Sequence, residues 1–110
     1  MNIDEKAIID KFVSVIVSAF SPEKIILFGS RARGDHTADS DYDILVIMKH
    51  LVDKIGLTIQ LYSEIIHTDL PKNVDFLAIS SARYEELKTS VAFIYKTIDE
   101  EGKVIYEKRL

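Results

Sequence analysis

Apolar side chains recur at helical spacing near the start of the chain: Ile8, Ile9, Phe12, Val13, Ile16, Val17 and Phe20 form one wide stripe. Asn2 followed by Glu5 resembles a capping box, and Pro22 stops this helix after Phe20. Three short continuous apolar runs follow, at Lys24–Phe28, Tyr42–Met48 and Val74–Ile79. Runs of that kind suit strands covered on both faces. Between the second and third run, a helix is predicted from about Leu51 to Ile66, with Leu51, Ile55, Ile59, Tyr62 and Ile66 on one face. Gly56 weakens that helix slightly. Ser81 can cap a further helix whose period runs through Tyr84, Leu87, Val91, Ile94 and Ile98, with Gly102 as its C′ glycine. Lys103–Glu107 reads as a last short edge strand. The predicted order is helix, strand, glycine turn, strand, helix, strand, helix, strand.

Composition narrows the class. The 110 residues, 47% of them apolar, can bury a real core, and a length near the modal domain size predicts a single α/β or α+β domain over residues 1–110. No cysteine is present, which removes thiol nucleophiles, thiolate metal sites and disulfides, and fits a reducing compartment. Fourteen basic against eighteen acidic residues give a net charge of −4, which argues against strong nucleic-acid binding through phosphate neutralisation. Met1–Lys11 mixes both charge signs, unlike a signal peptide, and no apolar run approaches the ~20 residues that span a bilayer. The expectation is a soluble cytoplasmic protein with no membrane partner.

The chemistry concentrates in Gly29-Ser30-Arg31-Ala32-Arg33-Gly34 and the segment that follows it to Asp43. A glycine turn that leaves a strand and opens a helix presents backbone N–H groups to an anion, and Ser30, Arg31 and Arg33 add donors for phosphate oxygens. The Gly29–Gly34 spacing matches the glycines of a P-loop, but Asp35-His36 stand where Lys-Ser/Thr belongs. A solvated glycine-rich turn is the alternative for Gly29-Ser30 taken alone. Asp41 and Asp43 lie two apart at the start of a strand, so both carboxylates point to one face, about 6–7 Å apart. Asp75 opens the next strand in the same way. If those strands are neighbours, three carboxylates converge, and each pair repels by roughly 3 kcal/mol at ~5 Å and an effective dielectric of about 20. That is a large conflict against a total stability of about 5–15 kcal/mol. Divalent cations relieve it, and hard carboxylate ligands select Mg²⁺ or Mn²⁺. The alternative is three strand-end aspartates fully in water, where the repulsion falls to about 1 kcal/mol or less.

Gly29-Ser30, ten residues and then Asp41-x-Asp43 resembles the signature of the polymerase-β-type nucleotidyltransferase superfamily. The short chain is similar to its minimal (MNT) branch, whose members often pair with a helical HEPN protein as toxin and antitoxin. The resemblance covers about Phe20 to Tyr106. It implies the nucleotidyltransferase fold, a small mixed sheet of about four strands flanked by helices. It also implies that Gly29, Ser30 and Arg33 hold the triphosphate of ATP or another NTP, with Arg31 less secure. Asp41, Asp43 and Asp75 would be the catalytic and metal-binding carboxylates, holding a pair of Mg²⁺ ions (or Mn²⁺), with Asp75 helping to deprotonate the attacking hydroxyl.

The rest of the sequence reads as scaffold. Arg31 and His36 match the Arg-x4-His spacing of HEPN ribonucleases, but those are all-helical, so the match is read as accidental. His50 and His67 read as solvated residues near helix ends, and Tyr84, Tyr95 and Tyr106 as packing. Lys103 and Lys108 read as protection for an edge strand. The expected strands and helices absorb the residues after Asp75, which leaves no second domain for an acceptor. The resemblance therefore implies an antitoxin that adenylylates its HEPN partner. The alternatives are a subunit that modifies small, aminoglycoside-like substrates, and a non-catalytic module that neutralises a toxin by contact.

Overall fold

A computed structural model describes residues 3–109. Its elements run α1 (Ile3–Phe20), β1 (Lys24–Phe28), α2 (Ser30–Arg33), β2 (Tyr42–Met48), α3 (Lys54–Ile66), β3 (Val74–Ser80), α4 (Ser81–Leu87), α5 (Ile94–Glu101) and β4 (Lys103–Glu107). The sheet order is β3-β2-β1-β4. β1 pairs antiparallel with both β2 and β4, whereas β2 and β3 run parallel, joined by the α3 crossover. The sheet is therefore mixed and four-stranded, as the resemblance implies. No described helix is long and apolar enough to cross a membrane.

Strand alternation splits the core into two layers. Ile25, Leu27, Ile44, Val46, Phe76 and Ala78 pack on one sheet face against Phe12 and Ile16 of α1 and Leu57, Leu61 and Ile65 of α3. Ile26, Leu45, Ile47 and Ile79 pack on the other against Tyr84 of α4 and Tyr95 and Ile98 of α5. Tyr84 and Tyr95 meet edge to face with ring centroids 6.2 Å apart, so these tyrosines are packing residues.

One open question is settled and three expectations need correction. The inward face of α3 is Leu57, Leu61 and Ile65, while Ile55, Ile59 and Ile66 are exposed. The sequence offers two apolar stripes there, and the sheet takes the one that a single-period reading passes over. The helix expected from Ser81 to Ile98 is two short helices, α4 and α5, separated at residues 88–93, and Val91 is exposed. Ser80 rather than Ser81 caps α4, accepting from the Arg83 N–H at 3.2 Å. Gly102 has φ −70°, so it is no left-handed cap. A Cβ there would stand 2.5 Å from the Ile98 carbonyl oxygen and 2.6 Å from Ile26 Cγ2, so close packing of α5 on β1 is what excludes a side chain.

Candidate active site

β1 ends at Phe28, and the chain turns at Gly29 with φ +72°. A Cβ on Gly29 would meet Asp43 Oδ2 at 2.1 Å, so the turn presses directly on the first acid of β2. Phe28 is paired with Asp43 in the sheet, which fixes that approach. Ser30 and Arg31 open α2, and N–H groups in a helix's first turn have no intrahelical acceptor. Gly34, with φ +87°, closes the short helix in the left-handed region, its N–H donating to the Ser30 carbonyl at 2.9 Å.

The parallel ladder sets Asp43 directly beside Asp75. Both point to the sheet face that carries Leu45, Leu77 and Ile79. Burial first, then the charge of Asp75, then that of Asp41, raises the Asp43 pKa above the ordinary aspartate value; a hydrogen bond with Asp75 adds to the rise and Arg33 opposes it. Asp41 precedes the strand and is exposed. The structure thus brings two of the three expected carboxylates into contact and leaves Asp41 near enough to act through its charge. No group of three or more His, Cys, Asp or Glu is gathered to hold a metal ion among the described residues. In donor type and charge the Asp43–Asp75 pair fits a divalent cation, because hard oxygens that repel one another are what such an ion neutralises.

Arg33 and Arg31 part company. Arg33 is 42% exposed and borders a cleft of about 330 Å³ with Gly29 and Asp43 on one side and Ile94, Thr97 and Glu101 of α5 on the other. Its guanidinium also reaches Asp35 at 3.3 Å and Glu101 at 3.9 Å. Arg31 turns the opposite way and is buried, 4.0 Å above the Tyr42 ring. It donates to the carbonyls of Ser40 at 3.0 Å, Ala38 at 3.3 Å and Thr37 at 3.4 Å, and to Glu5 Oε2 at 3.2 Å. His36 Nε2 meets the same Glu5 oxygen at 2.8 Å. The less secure phosphate assignment of Arg31 therefore fails on orientation: its side chain pins the loop that delivers Asp41. The Arg31/His36 spacing has a structural use, since both residues converge on Glu5. Glu5 serves this cluster; Asn2, its expected capping-box partner, lies outside the described residues. The α5 lining and the Glu5 anchor escape sequence reasoning because neither carries a local motif.

Comparisons with known proteins place this geometry. Residues 10–109 match the family described as polymerase beta, nucleotidyltransferase. A candidate protein adenylyltransferase from Methanocaldococcus jannaschii is 32% identical over 109 residues, covering 94% of this chain and 98% of its own. Among solved structures, a candidate nucleotidyltransferase from Sulfolobus solfataricus superposes with a TM-score of 0.66 at 21% identity, covering 94% of this chain and 80% of that one. A chain from the complex of a tri-AMPylated Shewanella oneidensis HEPN toxin with an MNT antitoxin superposes with a TM-score of 0.57 at 18% identity, covering 94% of this chain and 72% of that one. At these identities the structures speak for the fold, and the family match speaks for descent. The chain belongs to the polymerase-β nucleotidyltransferase family and is a nucleotidyltransferase.

Proposed function

We propose that this nucleotidyltransferase moves AMP from ATP onto a hydroxyl of a second protein chain, a helical HEPN-type toxin that it thereby inactivates in the cytoplasm. The observation that carries the reading is the Asp43–Asp75 pair pressed against the Gly29 turn. A protein acceptor is supported by the Methanocaldococcus jannaschii relative, a candidate protein adenylyltransferase. A HEPN partner is supported by the likeness to the AMPylated toxin–antitoxin complex.

In this reading Asp41, Asp43 and Asp75 hold Mg²⁺ (or Mn²⁺), which when bound neutralises charge on the triphosphate and on the leaving pyrophosphate. The N–H groups of the Gly29–Ser30 turn and the Ser30 hydroxyl orient the phosphates, where most of the rate gain in such transfers lies. Arg33 at the cleft rim adds a charged donor for a phosphate oxygen. The acceptor hydroxyl oxygen bonds to the α-phosphorus, the bond to the β-phosphate oxygen breaks, and Asp75 takes the hydroxyl proton. The test is intact-mass spectrometry of the protein encoded beside this one after incubation with the enzyme, ATP and Mg²⁺. A partner heavier by one AMP is expected with the native chain and absent with the Asp41→Asn, Asp43→Asn double variant, which should still bind the partner. Equal partner neutralisation by that variant at sub-stoichiometric amounts would overturn the reading. ATP consumption with an amino-sugar acceptor but no protein would replace it with small-molecule transfer.

A further inference from the structure

The outer face of α3 carries an apolar stripe that the described fold leaves uncovered. Ile55, Ile59 and Ile66 are 75%, 64% and 65% exposed, and Val52, just before the helix, stands fully clear of the protein. Tyr62, in the same stripe, is 38% exposed; its hydroxyl accepts from the Phe76 N–H of β3 at 3.0 Å and its ring packs edge-on against Phe76. The stripe is thus anchored to the sheet edge. An exposed apolar surface of roughly 300–600 Å² on a folded domain marks a contact site, and four aliphatic residues with a tyrosine edge reach that size.

Three features select what covers it. Residues 55, 59, 62 and 66 are separated by four, three and four positions, a pattern that reads the same in both directions. A two-fold axis perpendicular to α3 and passing beside its middle therefore brings Ile55 onto Ile66 of a second copy and Ile59 onto Tyr62, the self-complementarity that an isologous contact requires. By helical spacing the flanks are Gly56 and Ser63 on one side and Thr58 on the other, small and uncharged. A second helix can approach there without desolvating a charge, and an antiparallel pairing sets the N-terminus of one α3 beside the C-terminus of the other. The third feature is position: α3 packs on the sheet face opposite Asp43 and Asp75. An acceptor seated on the stripe would lie on the wrong side of the sheet for transfer, whereas a second copy leaves both clefts open. At roughly 300–600 Å² per copy the surface falls below the roughly 800 Å² that each partner of a standard interface contributes, so the pairing is of modest affinity.

We propose that α3 pairs antiparallel, about a two-fold axis, with α3 of a second copy of this chain, making the enzyme a homodimer. Sedimentation equilibrium of the full chain at roughly 5–200 μM, where a modest interface fills, should reach twice the chain mass at the upper end. Ile59→Glu, at the centre of the pair, should return the single-chain mass with helical circular dichroism and melting temperature retained. Ile55→Ser should weaken the dimer about tenfold or more, and this milder change decides the matter if Ile59→Glu fails to fold. A native chain that keeps the single mass throughout overturns the proposal. So does a dimer that survives both substitutions with unchanged affinity, which puts the contact elsewhere. A native monomer that binds a helical partner protein and loses it on Ile59→Glu also overturns it, by giving the stripe to that partner.

Discussion

Asp43 and Asp75 are partners in a parallel ladder, two like charges side by side, with Asp43 against a glycine turn that has no room for a side chain. Parallel pairing, rather than the loop, holds two like charges together, so the arrangement is built into the core topology. Its cost appears as the raised pKa of Asp43. The surrounding domain sustains that cost, as strain at functional sites generally is sustained.

Asp43→Asn should therefore stabilise the metal-free protein above the raised pKa. An acid whose folded pKa is raised is fully tolerated when protonated, below the unfolded value, and loses stability as pH rises through the folded one. In EDTA, the native chain and Asp43→Asn should unfold at similar denaturant concentrations near pH 3.5. The variant should pull ahead as pH rises and hold a constant lead of up to about 1 kcal/mol by pH 7, since solvent screens a half-buried pair. A lead that grows toward low pH instead would contradict the like-charge account.

Millimolar Mg²⁺ with ATP should raise the melting temperature of the native chain, because saturation at 100 times the dissociation constant contributes about 2.7 kcal/mol. Asp75→Asn and Asp43→Asn should blunt that response. Asp41→Asn should blunt it too while barely changing the metal-free melt, because Asp41 is exposed. A native melting curve indifferent to both additives would remove the proposed metal and nucleotide roles together.

The two arginines of the turn should separate cleanly. Arg31→Ala leaves Glu5 buried beside His36 and strips a donor from three loop carbonyls, a loss of about 3–5 kcal/mol on the scale of broken buried pairs. Arg33→Ala removes two exposed ion pairs and a screened charge that partly offsets the Asp43–Asp75 repulsion, and should change stability by less than about 0.5–1 kcal/mol. Nucleotide affinity, read by titration calorimetry, should fall for Arg33→Ala at full fold content. Equal stability losses for both would refute the division of labour.

How much of this was legible without coordinates depends on the range of the forces involved. The β1 turn and the Asp43/Asp75 proximity follow from strand runs and from one assumption, that β2 and β3 are neighbours. Arg31 reads as a phosphate ligand in sequence because basic residues beside a glycine turn are usually solvated; its destination is set by Glu5, 26 residues upstream on another element. The inward face of α3 is hidden for a different reason. Ile55, Ile59, Tyr62 and Ile66 form as good a periodic stripe as Leu57, Leu61 and Ile65, and only packing against β3 and α1 chooses between them. The break between α4 and α5 is hidden in the same way, by apolar residues that keep a helical period across residues 88–93 while Val91 and Phe93 face outward.

Ser30→Ala should keep the fold and the Mg²⁺ response but slow transfer, since one hydrogen bond to a charged phosphate is worth roughly 1.5–3 kcal/mol. That is a rate loss of about ten- to a hundredfold, read as single-turnover AMP transfer at saturating ATP. An unchanged rate would remove Ser30 from the phosphate site.

Gly29→Ala is the sharpest test, because it adds one methyl group and changes no charged side chain. At φ +72° and ψ −157°, a region that only glycine enters readily, any Cβ costs roughly 1–3 kcal/mol of backbone strain, so some stability must be lost wherever the methyl points. Here it points at Asp43 Oδ2, 2.1 Å away, far inside contact distance. Asp43 is held in a ladder between Phe28 and Asp75 and cannot retreat with its strand, so its carboxylate must rotate away or the turn must open. Either movement separates the N–H groups proposed to face the phosphates from the acid pair. The variant should fold with a melting temperature lowered by several degrees, lose most of its Mg²⁺ and ATP stabilisation, and show transfer reduced at least as far as in Asp43→Asn. Gly34→Ala is the control: its φ is also positive, in the left-handed helical region, with nothing within 4 Å of the new methyl. It should show backbone strain alone, a drop in melting temperature with nucleotide stabilisation intact. If both glycine variants lose activity equally, backbone strain in the turn explains the effect and the Gly29–Asp43 contact does not.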